Sequence, residues 1–239
     1  MISNMMTNAL RPALLLLLFA GMMQGCAPQI SPPATIVNSK APVDFPDTYY
    51  HQAEASGTKI LRIDTERSLV VIQVRRGGTL ARLGHDHVVA SHDVAGYADM
   101  KAGRADLYVP LERLSVDEAG LRAEVGLSAQ ISTEAIEATR RNMLDKVLVT
   151  GRYPFALIHV ARETPDSPIL RVTITLHDTT QSFDVPAQIE TVAGGIKISG
   201  QLAFKQSDFG ITPFSILGGA MQVQDKLDLR FRIFATASP

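Results

Sequence analysis

Three of the chain's six histidines lie in one short stretch, LARLGHDHVVASHD, which spans residues 80–93. His85 and His87 are separated by one residue, and side chains two positions apart on a strand point to the same face. Imidazole is a good ligand for zinc, copper and iron, so this pair could hold a divalent transition metal, with His92 as a third ligand. A metal site is therefore one interpretation of the stretch.

The other interpretation is the polar rim of a barrel, where these side chains hydrogen-bond to loops or meet the head group of a ligand. The sequence has no HExxH, paired CxxC or GxSxG motif and no glycine-rich phosphate loop. The SDFG of residues 207–210 occurs without the HRD and VAIK that accompany it in kinases. We expect a binding protein rather than an enzyme, with metal-dependent activity at the histidines as the exception.

Composition excludes several classes of protein. The chain has 239 residues, of which 46% are hydrophobic and 20% charged, and its formal net charge is -1. This is too apolar for a disordered chain and too charged for a protein that crosses a membrane many times. Because no run of Lys and Arg is present, we expect no nucleic-acid partner.

Residues 1–25 are predicted to be a lipoprotein-type signal peptide. A single positive charge, Arg11, precedes an apolar run from Ala13 to Met23. The run is too short to span a membrane, since a spanning helix needs ~20 apolar residues. It leads to MQGC, whose Cys26 is the only cysteine in the chain. MMQGCA resembles a bacterial lipobox, with Met23 where leucine is usual, and this predicts lipid attachment at Cys26.

Lipid attachment at Cys26 would place the protein in the periplasm, anchored to a membrane. Each buried CH₂ of an acyl chain contributes ~0.8 kcal/mol, so several chains together hold a protein at a bilayer durably. The residue after the cysteine is Ala27 rather than Asp. Under the sorting rule for such lipoproteins, this favours the outer membrane over the inner one.

Residues 26–56 are predicted to be a tether. They contain five of the chain's 13 prolines and show no sustained period of 2 or 3.6 residues. Proline-rich segments are extended and semi-rigid, which suits a spacer between a membrane and a domain. The aromatic residues of DFPDTYYHQ (44–52) leave docking on the domain as an alternative for that part.

Residues 57–239 are predicted to form one β-domain. In LRVTITLH (170–177) apolar residues alternate with polar ones, and KLDLRFRI (226–233) does the same. Roughly nine such segments, including LRAEVGLS (121–128), follow at hairpin spacing, which indicates an antiparallel barrel or sandwich. The inward residues are Leu, Ile, Val and Phe with small Ala and Gly between them, so a barrel could enclose an apolar cavity.

One segment of the domain, STEAIEATRRNML (132–144), is predicted to be an amphipathic helix. Its apolar residues fall on one stripe, with two arginines on the opposite side. Ser132 could cap its first turn.

Several stretches of the domain, taken in order, resemble one known family. They are RIDTERSLVVIQV, NMLDKVLVTGRYPFALIHV, LRVTITLHDTTQSFDVPAQIE and a closing run from GIKISGQLAFKQSDFGI to VQDKLDLRFRIFA. With them, residues 60–236 resemble the YceI-like lipid-binding proteins, the polyisoprenoid-binding family of the bacterial periplasm.

The resemblance implies an extended lipocalin-like antiparallel β-barrel of about eight strands with a helix at one end. It also implies a long apolar ligand of isoprenoid or fatty-amide type inside the barrel. The chain differs from the family's usual pattern in GHDH (84–87), where a single histidine is more usual, and in its predicted lipid anchor. We therefore expect two partners, an apolar small molecule and a membrane, and no cofactor beyond a bound isoprenoid or fatty-acid-like lipid.

The candidate ligand-binding residues are apolar side chains of the helix, of the strands and of the loop ITPFSILGGAMQ (211–222). Gly218 and Gly219 would let this loop move, so the loop and the helix together form the candidate mouth of a cavity. The candidates are Ile136, Met143, Leu144, Phe155, Leu157, Phe204, Phe209, Phe214, Ile216, Leu217 and Met221. A packed barrel without a ligand, with a structural role, is the remaining alternative.

Overall fold

The computed structural model describes residues 41–164 and 166–237. The predicted signal peptide, Cys26 and the first part of the predicted tether, residues 26–40, lie outside the described residues. Within the described ranges, no helix is both long enough and apolar enough to cross a membrane.

The described part of the chain is mostly β-strand, with fourteen strands numbered in chain order. The first seven are β1 (Ile60–Ile63), β2 (Leu69–Val74), β3 (Arg76–Gly77), β4 (His87–Ser91), β5 (Ala95–Asp99), β6 (Arg104–Pro110) and β7 (Ser115–Val116). The others are β8 (Phe155–Ala161), β9 (Ile169–Leu176), β10 (Thr179–Val192), β11 (Gly195–Lys205), β12 (Ser215–Ile216), β13 (Met221–Val223) and β14 (Lys226–Ala237). The α-helices are α1 (Asp47–Ala55), α2 (Ala119–Glu124) and α3 (Thr133–Asn142).

Eight of these strands form a closed antiparallel barrel. Each is hydrogen-bonded to the next in the order β1, β5, β6, β8, β9, β10, β11, β14, and β14 pairs back to β1. β14 also pairs with β2, through which β4 and β7 extend the same sheet. The predicted all-β fold, an antiparallel barrel of about eight strands, is confirmed.

Alternation along the strands sorts apolar side chains to the inside and polar ones to the outside. In the β9–β10 pair, the hydroxyls of Thr173 and Ser182 lie 2.9 Å apart, and those of Thr175 and Thr180 lie 2.8 Å apart, on exposed positions. Val172, one position from Thr173, is buried in an apolar cluster. Successive side chains of a strand point to opposite faces, so these polar pairs define the outer surface.

A small second sheet, made of β12, β13 and β3, holds the loop of residues 211–222 close to the start of β4. Val223 of β13 pairs with Arg76 of β3. The backbone N–H of Arg76 in turn donates to Asp86 Oδ1 at 2.9 Å, next to His87. The loop and the histidine stretch therefore lie at the same end of the barrel.

Helix α3 is the predicted amphipathic helix, and it is present with its predicted cap. The Ser132 hydroxyl accepts a hydrogen bond from the Ala135 N–H at 3.3 Å. The helix continues as a π-helical turn, Met143–Val147. Arg140 Nε donates to the Leu114 carbonyl oxygen at 2.9 Å, which ties α3 to the segment that leads into β7.

The predicted strand LRAEVGLS is wrong, because its first half belongs to helix α2. Leu121 and Arg122 are adjacent, yet both are buried. A strand with one solvent-exposed face would bury only one of two neighbours. Ala, Leu, Arg and Glu also have high helix propensity, which outweighs a short run of alternation.

The structure differs from the predicted tether in residues 41–56, which contain helix α1 and lie against the barrel. The Phe45 ring meets the Tyr108 ring edge-on at 4.9 Å. Tyr50 is 1% exposed and stacks on Tyr97 at 5.1 Å. Burying aromatic side chains in this way is strongly favourable, and it outweighs the extended preference of the two prolines in this part. The alternative that DFPDTYYHQ docks on the domain describes the observed arrangement.

Asp106 is the polar centre of this contact on the outer wall of the barrel. It accepts hydrogen bonds from Tyr50 Oη at 2.6 Å, Arg104 Nε at 2.7 Å and His159 Nδ1 at 2.8 Å. Burial raises the pKa of the Asp106 carboxyl, but these hydrogen bonds outweigh burial and hold the pKa below its usual value. The same burial, with the hydrogen bond to Asp106, raises the pKa of Tyr50.

Removing the Tyr50 hydroxyl is expected to destabilise the protein. Tyr50→Phe keeps the ring but deletes a buried hydrogen bond to a carboxylate, an interaction typically worth ~1.5–3 kcal/mol. Tyr97→Phe is the matched control, because the Tyr97 hydroxyl accepts a longer, 3.4 Å hydrogen bond from Arg62 rather than donating one to a buried carboxylate. Urea unfolding should show the loss for Tyr50→Phe and less than ~0.5 kcal/mol for Tyr97→Phe. Equal losses in the two variants would contradict the assigned role of Asp106.

Candidate functional site

An elongated cavity of about 390 Å³ runs inside the barrel. Its volume lies within the ~300–1,000 Å³ range typical of small-molecule sites. All but five of the lining residues have apolar side chains, and the five are His87, Ser91, Thr139, Asn142 and Gln206. The cavity is thus a deep apolar site with a few polar groups.

Alternate residues of the barrel strands form its wall. β2 contributes Val70, Ile72 and Val74, and β8 contributes Ala156, Ile158 and Val160. Every second side chain of a strand faces the same way, so a few strands supply a continuous apolar lining. Further lining residues from β14 are Leu227, Leu229, Phe231 and Ile233.

Two of the predicted ligand-binding residues, Phe155 and Leu157, do not line the cavity. They alternate along β8 with the lining residues Ala156 and Ile158, so they face the outside of the barrel. The Phe155 ring instead meets the Tyr108 ring edge-on at 6.0 Å. Both faces of β8 carry apolar residues, because aromatic side chains also pack on the outer face.

Among the other predicted residues, Met143, Phe204 and Phe214 line the cavity. The remaining six are placed elsewhere. Leu144 and Phe209 are buried in the protein interior, and Phe209 meets Phe204 edge-on at 5.6 Å, behind the wall rather than in it.

The three remaining helix and loop candidates, with Met221, are also outside the lining. Ile136 packs against the largest core cluster, while Ile216 and Leu217 are exposed at 44% and 68%. Met221 pairs with Ile216 across β12 and β13. Ile136, Ile216 and Leu217 therefore do not form part of the cavity wall.

The two elements of the candidate mouth are neighbours. Lys146, in the π-helical turn after α3, places its Nζ 5.9 Å from the centre of the Phe214 ring. Met143, Val147 and Phe214 all line the cavity from these two elements. The predicted mouth at this end of the barrel stays a prediction, now with the helix and the loop in contact.

The structure does not bring the three histidines of the opening stretch together. The rings of His85 and His87 are 6.4 Å apart, but His92 is exposed and its Nε2 lies 3.0 Å from Glu118 Oε1. Throughout residues 41–164 and 166–237, no three His, Cys, Asp or Glu side chains are grouped so that they could hold a metal ion. His159 belongs to the Asp106 network on the outer wall.

His87 differs from the other two, because it lines the cavity and is held from behind by buried charges. Its Nδ1 donates to Asp117 Oδ2 at 2.5 Å. The other oxygen, Asp117 Oδ1, accepts from the Val88 N–H at 3.0 Å and from Arg122 Nη1 at 2.6 Å. Arg122 also donates to the backbone oxygens of Asp86 and Ala129, both at 2.9 Å.

Sequence reasoning missed this triad of His87, Asp117 and Arg122. Asp117 stands in VDEAG, which has the composition of a turn, and its positive φ of 57° fits that reading. Arg122 falls in the segment that was predicted to be a strand. Only the pairing of β4 with β7, which sets Val89 opposite Val116, brings Asp117 beneath His87.

The Asp117 carboxyl is buried, and its ionised form is stabilised there. Burial raises its pKa, but hydrogen bonds from the His87 ring, the Val88 amide and the Arg122 guanidinium outweigh burial, so the pKa lies below its usual value. A carboxyl whose pKa is lower in the folded state contributes stability above the unfolded pKa of ~3.9. That contribution is lost as the pH falls through the folded pKa.

Asp117→Asn should therefore destabilise the protein most near neutral pH. Neutralising one partner of a buried charge pair leaves Arg122 uncompensated, which costs ~3–5 kcal/mol. The free-energy gap between wild type and variant, measured by urea unfolding, should stay constant above about pH 5 and narrow below about pH 4, as the pH falls through the folded pKa of Asp117. Asp184→Asn, at an exposed position of β10, is the control and should give a small gap that changes little. A constant gap for Asp117→Asn would show that Asp117 is not ionised in the folded protein.

Together, the closed antiparallel barrel and its apolar cavity define a lipocalin-like binding protein. The family model of the YceI-like domain matches residues 61–235. The chain therefore belongs to the YceI family, as the sequence resemblance indicated. The YceI barrel is a binding-protein fold, and the apolar cavity inside it supports the binding of an apolar ligand.

Two solved structures share the fold. One is a polyisoprenoid binding domain from Saccharophagus degradans implicated in plant cell wall breakdown, with a TM-score of 0.54 and 14% identity over 74% of this chain and 98% of that one. The other is BcnA from Burkholderia cenocepacia, with a TM-score of 0.53 and 15% identity over 73% of this chain and 99% of that one. No curated protein sequence matches this chain.

Proposed function

We propose that this protein binds a long-chain apolar lipid of isoprenoid or fatty-amide type in its barrel and carries or sequesters it in the bacterial periplasm. The observation that carries the proposal is the chemistry of the cavity wall. Within the described residues, the lining contains no Lys, Arg, Asp or Glu. Burial of apolar surface contributes ~25 cal/mol per Å², so a hydrocarbon chain is the ligand that gains most from such a wall.

The shape of the cavity supports an extended ligand. Its lining residues on β14 run from Leu227 to Ile233. At ~3.3 Å per residue, this stretch is ~20 Å long along the strand. A chain of methylene or isoprene units can follow such a wall, whereas a compact ligand would leave much of it uncovered.

One relative in fold gives independent support for the ligand class. The Saccharophagus degradans structure is described as a polyisoprenoid binding domain, and this chain covers 98% of its length. An isoprenoid is a branched apolar chain, which matches the lining of branched Val, Ile and Leu side chains.

The periplasmic location and the membrane tether are part of the proposal, and they rest on the sequence of residues 1–27. The apolar run, the lipobox-like MMQGCA and the single cysteine support lipidation at Cys26. Ala27 favours delivery to the outer membrane. A barrel held close to a bilayer could exchange lipid with it.

Filling the cavity tests the function directly. Ala156 faces the cavity, while its neighbour Leu157 faces outward. Ala156→Trp places an indole in the ligand's space and should weaken binding of N-phenyl-1-naphthylamine at least tenfold in a fluorescence titration. Leu157→Trp adds an indole of the same size outside the barrel and should change that affinity less than twofold.

The same pair of variants decides between a carrier and a packed structural barrel. Native mass spectrometry of residues 27–239 purified from bacteria should show bound mass of several hundred daltons that is lost on denaturation. Ala156→Trp should lack this mass, and Leu157→Trp should keep it. If wild type and both variants neither carry lipid nor bind the fluorescent probe, the proposed function is wrong.

A further inference from the structure

His87 is the only ionisable residue among the described residues that line the cavity. It lies at the start of β4, next to His85, which is exposed. The ligand therefore meets one ionisable group, placed where the apolar wall gives way to solvent.

The His87 ring is held in one orientation. The Asp117 carboxylate can only accept, so the Nδ1 atom, 2.5 Å away, carries a proton. Asp117 is itself fully buried and is fixed by the Val88 N–H and by Arg122. A buried carboxylate that orients an imidazole in this way leaves Nε2 as the ring atom for another partner. Among the described residues, nothing forms a hydrogen bond with Nε2.

The fold itself does not require a histidine at this position. Asp117 and Arg122 already neutralise each other at 2.6 Å, and an apolar side chain at position 87 would complete the wall. The His87 side chain is 16% exposed, so its Nε2 atom is accessible to a polar group at the end of a ligand.

We propose that His87 Nε2 binds the carboxyl group of a long-chain fatty acid whose hydrocarbon tail fills the barrel. This inference rests on the proposed function and names the ligand's head group. A carboxyl group shares one proton with Nε2: as the acid it donates its O–H proton to the nitrogen and keeps the bonding electrons, and as the carboxylate it accepts the N–H of the imidazolium. The charges of Asp117, Arg122, the imidazolium and the carboxylate then sum to zero.

Charge count separates this head group from a diphosphate. A prenyl diphosphate carries several negative charges, and the described cavity wall offers no Lys or Arg to balance them. The guanidinium of Arg122 is 9% exposed and is already paired with Asp117. Burying an uncompensated charge is costly, so a singly charged head group suits the position of His87, whereas a multiply charged one would have to lie beyond His87, in solvent.

The head group would lie at the His85 side of the cavity, with the tail extending along β14. His87 pairs with Val74 at the end of β2, and β2 pairs with β14 so that Ile72 lies opposite Leu229. From there the lining continues to Phe231 and Ile233. This orientation keeps the carboxyl near solvent, where it can enter last and leave first.

The test compares two probes of equal chain length, palmitic acid and methyl palmitate, by displacement of N-phenyl-1-naphthylamine. The ester cannot supply a proton to Nε2. Wild type should bind the acid at least tenfold more tightly than the ester. His87→Leu should reduce this preference to less than twofold by weakening the affinity for the acid. His92→Leu, at the exposed histidine that follows the same strand and lies outside the lining, is the matched control and should keep the preference.

A second measurement needs no variant. In wild-type protein labelled with ¹⁵N-histidine, the Nε2 resonance of His87 should shift on addition of palmitic acid and stay in place with methyl palmitate. This readout holds even if His87→Leu fails to fold.

The outcomes separate this inference from the function it rests on. If the acid and the ester bind wild type equally, or if the preference survives in His87→Leu, the proposed contact between His87 and the carboxyl group is wrong. The proposed function, binding of an apolar lipid in the barrel, is then unaffected. A preference for farnesyl diphosphate over palmitic acid would also overturn it. If none of the probes binds, the proposed function itself fails.

Discussion

The cavity depends on β14, which pairs with three other strands. It pairs with β11 along nearly its whole length, with β2 at residues 228–232 and with β1 at residues 235–237. The β1 ladder closes the ring of eight strands, while the β2 ladder starts the extension that carries β4 and His87. One strand therefore both closes the barrel and positions the side chain that would meet the ligand's head group. A closed ring leaves no free edge among these eight strands.

Two buried carboxylates secure the parts of the chain that the ring does not hold. Asp106 fixes helix α1 to the outer wall through Tyr50, and Asp117 joins the end of β7 to α2 through Arg122. In both places, hydrogen bonds to an ionised carboxylate hold the segment, because helix α1 and the segment from β7 to α2 have few backbone hydrogen bonds to the sheet. Asp106 does this outside the barrel and Asp117 beside the cavity, so of the two only Asp117 is hydrogen-bonded to a residue of the cavity wall, His87.

Much of the fold could be predicted from alternation, and less of the site. On β9, apolar and polar residues alternate strictly, and the apolar residues face the inside of the barrel, as the alternation predicts. On β8, FALIHVA has two apolar faces, because Phe155 on the outer face packs against Tyr108 of the neighbouring strand β6. Phe155 is the largest side chain of the strand, yet the cavity is lined by Ala156, Ile158 and Val160. When both faces of a strand are apolar, its sequence does not show which face lies inside the barrel, because this depends on the segments that pack against it.

From the sequence alone we could predict the β class, the strand faces where one side is polar, the capped helix α3 and the apolar character of the interior. These features follow from hydrophobic periods of 2 and 3.6 residues. Only the tertiary structure shows which histidine lines the cavity and is hydrogen-bonded to a buried carboxylate. His85 and His87 share one strand face in the sequence, and nothing in their spacing distinguishes them. The pairing of β4 with β7 sets a buried carboxylate, Asp117, behind His87 only, since hydrogen bonding between distant segments follows from the register of the sheet.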